Sequence, residues 1–147
     1  MIAEIFIKEL ISHKDNRGFF REIWRFNEQK EFDPKKAQIS HSQVKEGVIK
    51  GWHGHVNQGQ LNYVVSGLIR VALYDDRNNS STYKTLLKFD IKADKPKVYY
   101  FPPGVLHGYK CLSGPMNIIY VTSGAYDIED EIRVDFEKID SDLNWEI

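Results

Sequence analysis

Leu61-Asn62-Tyr63-Val64-Val65, then Ser66-Gly67, then Leu68-Ile69-Arg70-Val71-Ala72-Leu73-Tyr74 is the stretch that decides the fold class. β-branched and aromatic side chains pack well on a pleated surface, and a Ser-Gly pair between two such runs predicts two strands joined by a turn. The same texture extends outward to Ile2 to Ile7, Val48 to Trp52, Tyr83 to Asp90, Val98 to Phe101 and Ile118 to Thr122. Between these runs lie further turn residues: Asn78-Asn79-Ser80, Lys95-Pro96 and Ser113-Gly114-Pro115. Short runs at this spacing predict an all-β fold, an antiparallel sandwich or barrel. Two short helix-like patches, Asn27 to Phe32 and Phe136 to Leu143, are expected at its periphery.

The chain has 147 residues, a length that predicts one domain over 1–147 able to bury its core without staples. A formal net charge of -1 favours neither nucleic acid nor an anionic membrane as partner. One cysteine, Cys111, leaves no internal disulfide and fits a reducing compartment. No apolar run approaches a membrane span, and the opening Met1-Ile2-Ala3-Glu4 lacks a basic signal-peptide head. A soluble cytoplasmic domain is expected. Neither repeats nor low-complexity stretches divide it.

Three of the five histidines sit in two turn-flanked segments, Gly51-Trp52-His53-Gly54-His55 and Pro102-Pro103-Gly104-Val105-Leu106-His107-Gly108. In a β barrel, side chains alternate in and out, so polar groups at inward positions line a cavity. Leu61 to Val65 and Asn117-Ile118-Ile119-Tyr120-Val121 both carry polar atoms inside β-prone runs; Tyr63 and Tyr120 are equally readable as core aromatics. Three chemistries suit the histidines. His53, His55 and His107 with Gln60 resemble the two motifs of metal-binding cupins, although an amide stands at the carboxylate position. Alternatively, His53 is a general base and Tyr120 the opposing acid, with Lys50, Gln60, His55 or His107 stabilising an enolate oxygen. In the third reading the pocket only binds, and the imidazoles pack.

Longer motifs carry a family resemblance. Asp15-Asn16-Arg17-Gly18-Phe19-Phe20-Arg21-Glu22, Gln38-Ile39-Ser40-His41-Ser42 and Val48-Ile49-Lys50-Gly51-Trp52-His53 are followed by Gln58-Gly59-Gln60, Tyr74-Asp75-Asp76-Arg77, Phe101 to Gly108, Ile119-Tyr120 and Asp142-Leu143-Asn144-Trp145. In order and spacing these segments resemble the dTDP-4-dehydrorhamnose 3,5-epimerase family. The resemblance implies a cupin-type jelly roll, a homodimer that exchanges strands, and no metal or other cofactor. It implies epimerisation at C3, C5 or both, beside the 4-keto group of a nucleotide-linked 4-keto-6-deoxy sugar. On this pattern His53 is the base and Tyr120 the acid. A tyrosine of ordinary pKa, roughly 10, is protonated at neutral pH as an acid must be. His107 and Gln38 would line the sugar pocket and Tyr126 would contact the nucleotide. Arg17, Phe19 and Glu22 belong to the segment that reaches substrate from the partner subunit.

The pattern is broken at four places. Lys50 stands at a family arginine, keeping charge but losing the planar fork. Gln60 stands at a lysine that stabilises the enolate, and Ser40 at a substrate-contacting asparagine. The family's aspartate that orients the catalytic histidine lies beyond Trp145, and the sequence ends at Ile147. Four outcomes follow from these breaks: another carboxylate orients His53, one centre alone is epimerised, a ketone is isomerised instead, or turnover is lost. His55, two residues along the same segment, is expected to supply charge missing at Gln60.

Overall fold

The computed structural model describes residues 1–135 and 138–139. Ten strands follow in order: β1 (Phe6–Glu9), β2 (His13–Asp15), β3 (Gly18–Phe20), β4 (Gln38–Val44), β5 (Ile49–His55), β6 (Gln60–Asp75), β7 (Leu86–Lys92), β8 (Lys97–Phe101), β9 (Val105–Thr122) and β10 (Glu131–Arg133). Every pairing among them is antiparallel. Two 3-10 turns, Phe26–Glu28 and Ile128–Asp130, are the helical elements delimited among the described residues. The first replaces the expected patch at Asn27 to Phe32. Apart from Lys138 and Ile139, the patch at Phe136 to Leu143 lies outside the described residues, as does Asp142 to Trp145. No helix among the described residues is long and apolar enough to cross a membrane.

Two long strands organise the rest. β6 and β9 pair along their length, Gln60 opposite Thr122 at one end and Asp75 opposite Val105 at the other. The first part of β6 is flanked by β8 and the last part of β9 by β4, giving one sheet in the order β1-β8-β6-β9-β4. The remaining part of β6 pairs with β7, and the first part of β9 with β5, giving the order β7-β6-β9-β5-β10. One ribbon thus belongs to two sheets. Register shifts between Val64 and Ile69 mark where it passes from one to the other.

The expected turn at Ser66-Gly67 is therefore not a turn. It is an irregularity inside a 16-residue strand, and Ser113-Gly114-Pro115 likewise lies within the 18-residue β9. Gly67 has φ +88, and a Cβ there would lie 2.6 Å from the Ser113 carbonyl oxygen, so both the dihedral and the close approach require glycine. The irregularity also reverses side-chain parity. Before it Val64 faces the interior; after it Ile69, Val71 and Leu73 do. On β9 Tyr109 and Cys111 are followed by Met116 and Ile118 in the same core.

Three apolar clusters result. The interior one lies between the sheets. A second, built on Leu61, Tyr63, Val98 and Tyr100, is covered by Ile23, Trp24, Phe26 and Phe32 of the N-terminal segment. The third packs Trp52, Ala72 and Leu106 under Ile132, Val134 and Ile139. Tyr63 belongs to the second cluster, its hydroxyl accepting from Arg21 Nη1 at 2.6 Å. That tyrosine is a core aromatic with its polar tip satisfied.

Candidate active site

At one end of the interior the apolar packing gives way to a cavity of about 420 Å³. Its lining comes from β4 (Gln38, Ser40, Ser42), β5 (Lys50, His53, His55), the start of β6 (Gln60), and both parts of β9 (His107, Tyr109, Tyr120, Thr122). The alternation of inward positions places His53 and His55 on one face of β5, two residues apart. Glycines let the β5 and β9 backbones approach: a Cβ on Gly51 would lie 3.0 Å from Gly108 Cα. His107 sits opposite His53 in register, and its ring centroid is 6.2 Å from that of His53 and 6.0 Å from that of His55. Tyr120 enters from the other sheet, opposite Ser40 of β4 and Asn62 of β6.

Each of the two proton-bearing groups has a partner behind it. Glu131 Oε1 lies 3.8 Å from His53 Nδ1, with its side chain 17% exposed, and Arg133 Nη2 holds the same oxygen at 3.1 Å. Glu131 starts β10, which pairs with β5 so that Glu131 and Arg133 lie opposite His55 and His53. Glu131 is thus a carboxylate beside His53, at a separation longer than a hydrogen bond. Tyr120 Oη lies 2.7 Å from Tyr109 Oη, a contact that bridges the two sheets.

Burial lowers the proton affinity of His53 below that of ordinary imidazole. Glu131 opposes the shift, while Arg133, His55 and Lys50 add to it. His107 is driven well below its usual value, first by burial and then by His55 and His53. Both rings are neutral at pH 7, as a base or a packing imidazole requires. Burial, and then the neighbouring Tyr120, raises Tyr109, so its phenol keeps its proton.

A polar chain runs deeper. His55 Nε2 meets Gln60 Oε1 at 3.2 Å, Gln60 Nε2 donates to Asn62 Oδ1 at 2.8 Å, and Asn62 Nδ2 donates to Tyr99 Oη at 2.8 Å. On the other side of the ring, Asp130 Oδ2 lies 3.5 Å from His55 Nδ1. Among the described residues no group of three His, Cys, Asp or Glu side chains is arranged to hold a metal ion.

Of the residues singled out in the sequence, Gln38, Lys50, His53, His55, Gln60, His107, Tyr120 and Tyr126 converge on this cavity. Gln38 Oε1 accepts from the Tyr126 backbone N–H at 2.9 Å, tethering the exposed Tyr126 at the rim. Arg17, Phe19 and Glu22 do not reach it. Arg17 pairs with Asp15 at 2.5 Å on the exposed β2–β3 hairpin, and Glu22 pairs with Arg25 at 2.8 Å. Phe19 is 60% exposed, with the Arg21 guanidinium 4.4 Å above its ring. Tyr109, Asp130 and Glu131 had not been singled out. Tyr109 was signalled only by its i+2 spacing from His107, and the carboxylates only by the acidic run Glu129-Asp130-Glu131 after Tyr126.

Comparison with known proteins agrees with this architecture. A family model described as dTDP-4-dehydrorhamnose 3,5-epimerase matches residues 1–147. The spore coat polysaccharide biosynthesis protein SpsL of Bacillus subtilis is 36% identical over 148 residues, covering 99% of this chain and 97% of that protein. A probable low-salt glycan biosynthesis epimerase of Haloferax volcanii is 32% identical over 150 residues, covering 98% and 94%. Among solved structures, a dTDP-6-deoxy-D-glucose-3,5-epimerase from Legionella pneumophila in complex with dTDP-4-keto-L-rhamnose superposes with a TM-score of 0.82 at 26% identity, covering 92% of this chain and 74% of that one. A β-built jelly roll of the cupin type, matched along its whole length, places this chain in the dTDP-4-dehydrorhamnose 3,5-epimerase family of isomerases.

Proposed function

We propose that this protein inverts C3, C5 or both, beside the 4-keto group of a nucleotide-linked 4-keto-6-deoxy sugar, with His53 as base and Tyr120 as acid. The observation that carries this reading is one cavity entered from two sheets, by an imidazole backed by a carboxylate and by a phenol backed by a second phenol. The ketone acidifies the carbons on either side of it. Neutral His53 takes the proton from one face, and the C–H electron pair moves into the enolate. Tyr120 then delivers a proton to the opposite face, and solvent returns the two side chains to their starting states. The Glu131 carboxylate, 3.8 Å from His53 Nδ1, favours the imidazolium that forms, and we assign it the orienting role.

Substrate contacts are assigned to Gln38, Lys50, His107 and Tyr126 around the cavity, with the Lys50 ammonium at the exposed rim suited to a diphosphate. Arg17, Phe19 and Glu22 are assigned to a partner's cavity in a homodimer. Their distance from this chain's own pocket supports that reading, as do Phe19 and Phe20, exposed side by side on a hairpin. The one cysteine, buried Cys111, accords with a cytoplasmic enzyme.

The test is an NMR exchange assay in deuterated water against a panel of 4-keto sugar nucleotides. Solvent deuterium is expected to enter C3 or C5 with wild-type protein. His53→Asn should abolish exchange, and Tyr120→Phe should abolish inversion. Ligand binding without exchange would make the protein a sugar-nucleotide binder and refute the assignment.

A further inference from the structure

An enolate needs positive charge or strong donors near its oxygen, and in this cavity the Gln60 position offers only an amide. Lys50 lies at the exposed rim. The deeper candidate is His55, whose side chain is 19% exposed. Its two nitrogens face different partners. On the Nε2 side, Asn62 donates to the Tyr99 hydroxyl, which leaves Asn62 Oδ1 to accept from Gln60 Nε2 and turns Gln60 Oε1 toward His55. Facing an acceptor, Nε2 carries a hydrogen.

On the Nδ1 side stands Asp130, with 4% of its surface exposed. Its Oδ1 accepts the Asn57 backbone N–H at 2.6 Å, while Oδ2 and His55 Nδ1 have no hydrogen-bond partner and lie 3.5 Å from one another. A buried carboxylate oxygen without a donor is costly, and a proton on Nδ1 removes that cost for both atoms. A ring bearing hydrogen on both nitrogens would face an acceptor on each side, Gln60 Oε1 and Asp130 Oδ2. The other rings and charges nearby are His107, His53 and Glu131, the last opposite His55 in register.

Resting on the epimerase reading, we propose that His55 is an imidazolium, held between Asp130 and Gln60, whose charge stabilises the enolate oxygen formed when His53 takes a proton. His55 transfers no proton itself. It acts through its field and through the Gln60 amide whose oxygen it holds, which makes it a positioning residue. Positive charge at His55 also disfavours protonation of His53 and His107, in the same direction as their burial.

Nitrogen-15 NMR of histidine side chains in wild-type protein at neutral pH tests the charge without any variant. Two bonded hydrogens on the His55 ring are expected, and one in Asp130→Asn. A single hydrogen in wild type, the result if both amides point the other way, overturns the proposal. In the exchange assay His55→Gln should lower kcat roughly a hundredfold, the scale of a lost oxyanion donor, with KM within about threefold. Returning the cation from the neighbouring position, as His55→Gln with Gln60→Lys, should recover most of the rate. A single variant as fast as wild type, or a double variant no faster than the single, also overturns it. Wild-type protein that exchanges no substrate sinks the epimerase reading and this proposal together; exchange with a singly protonated His55 sinks the proposal alone.

Discussion

Tyr109→Phe removes one oxygen atom, 2.7 Å from the hydroxyl assigned as the acid. For Tyr120 to protonate a carbon, its own O–H must point at substrate, so Tyr109 is the donor between them. In the ground state that bond joins two neutral phenols, with a net contribution of about 1 kcal/mol; as Tyr120 gives up its proton the acceptor becomes an anion and the bond strengthens to roughly 1.5–3 kcal/mol. The difference of roughly 0.5–2 kcal/mol, expressed only in the transition state, predicts that kcat falls about two- to thirtyfold. KM should stay near wild type, because the lost interaction strengthens only after binding. Formation of the inverted sugar under substrate saturation measures kcat, and a thermal melt of the same protein separates chemistry from folding. Inversion as fast as wild type, in a variant that folds normally, would refute the hydrogen-bonded phenol pair as part of the machinery.

Glu131→Gln tests the other wall. Glu131 favours the protonated form of His53, against burial, Arg133, His55 and Lys50. The base must be neutral, so kcat/KM falls on the acid side as His53 protonates. In wild type that limb should lie below the ordinary imidazole value of roughly 6.5. Removing the carboxylate should move the limb to still lower pH and reduce the plateau, and a limb that stays in place contradicts the pairing. Gly67→Ala addresses the fold: a left-handed φ costs a Cβ-bearing residue about 1–3 kcal/mol, to which the 2.6 Å approach to the Ser113 oxygen adds. Urea unfolding should show that loss, and unchanged stability would contradict the geometry at the bend.

The β character of the chain was legible because its strands are rich in valine, isoleucine and aromatics. Their limits were less so. Ser66-Gly67 reads as a turn because turns and strand irregularities ask for the same residue, one that tolerates a positive φ. β4 escaped notice for a reason tied to function. Its inward residues Gln38, Ser40 and Ser42 are polar because they face the cavity, and its apolar Ile39 is 64% exposed, so the usual alternation is inverted. The histidines and Tyr120 were visible through motif spacing. Glu131 and Tyr109 were not, because their roles depend on partners: β10 must lie beside β5, and the two sheets must bring two phenols within 2.7 Å.

The β6–β9 ribbon bears on how this enzyme tolerates change. His107, Tyr109 and Tyr120 ride on a single strand, and the odd-numbered pair and the even-numbered tyrosine face the same cavity only because the strand slips frame between Cys111 and Met116. Deleting one residue between the slip and Tyr120 would exchange every inside position for its outside neighbour, swinging the phenol away and presenting isoleucine or valine to the cavity. Substitutions there are negotiable one atom at a time, whereas a shift in spacing changes the whole lining of the cavity downstream at once.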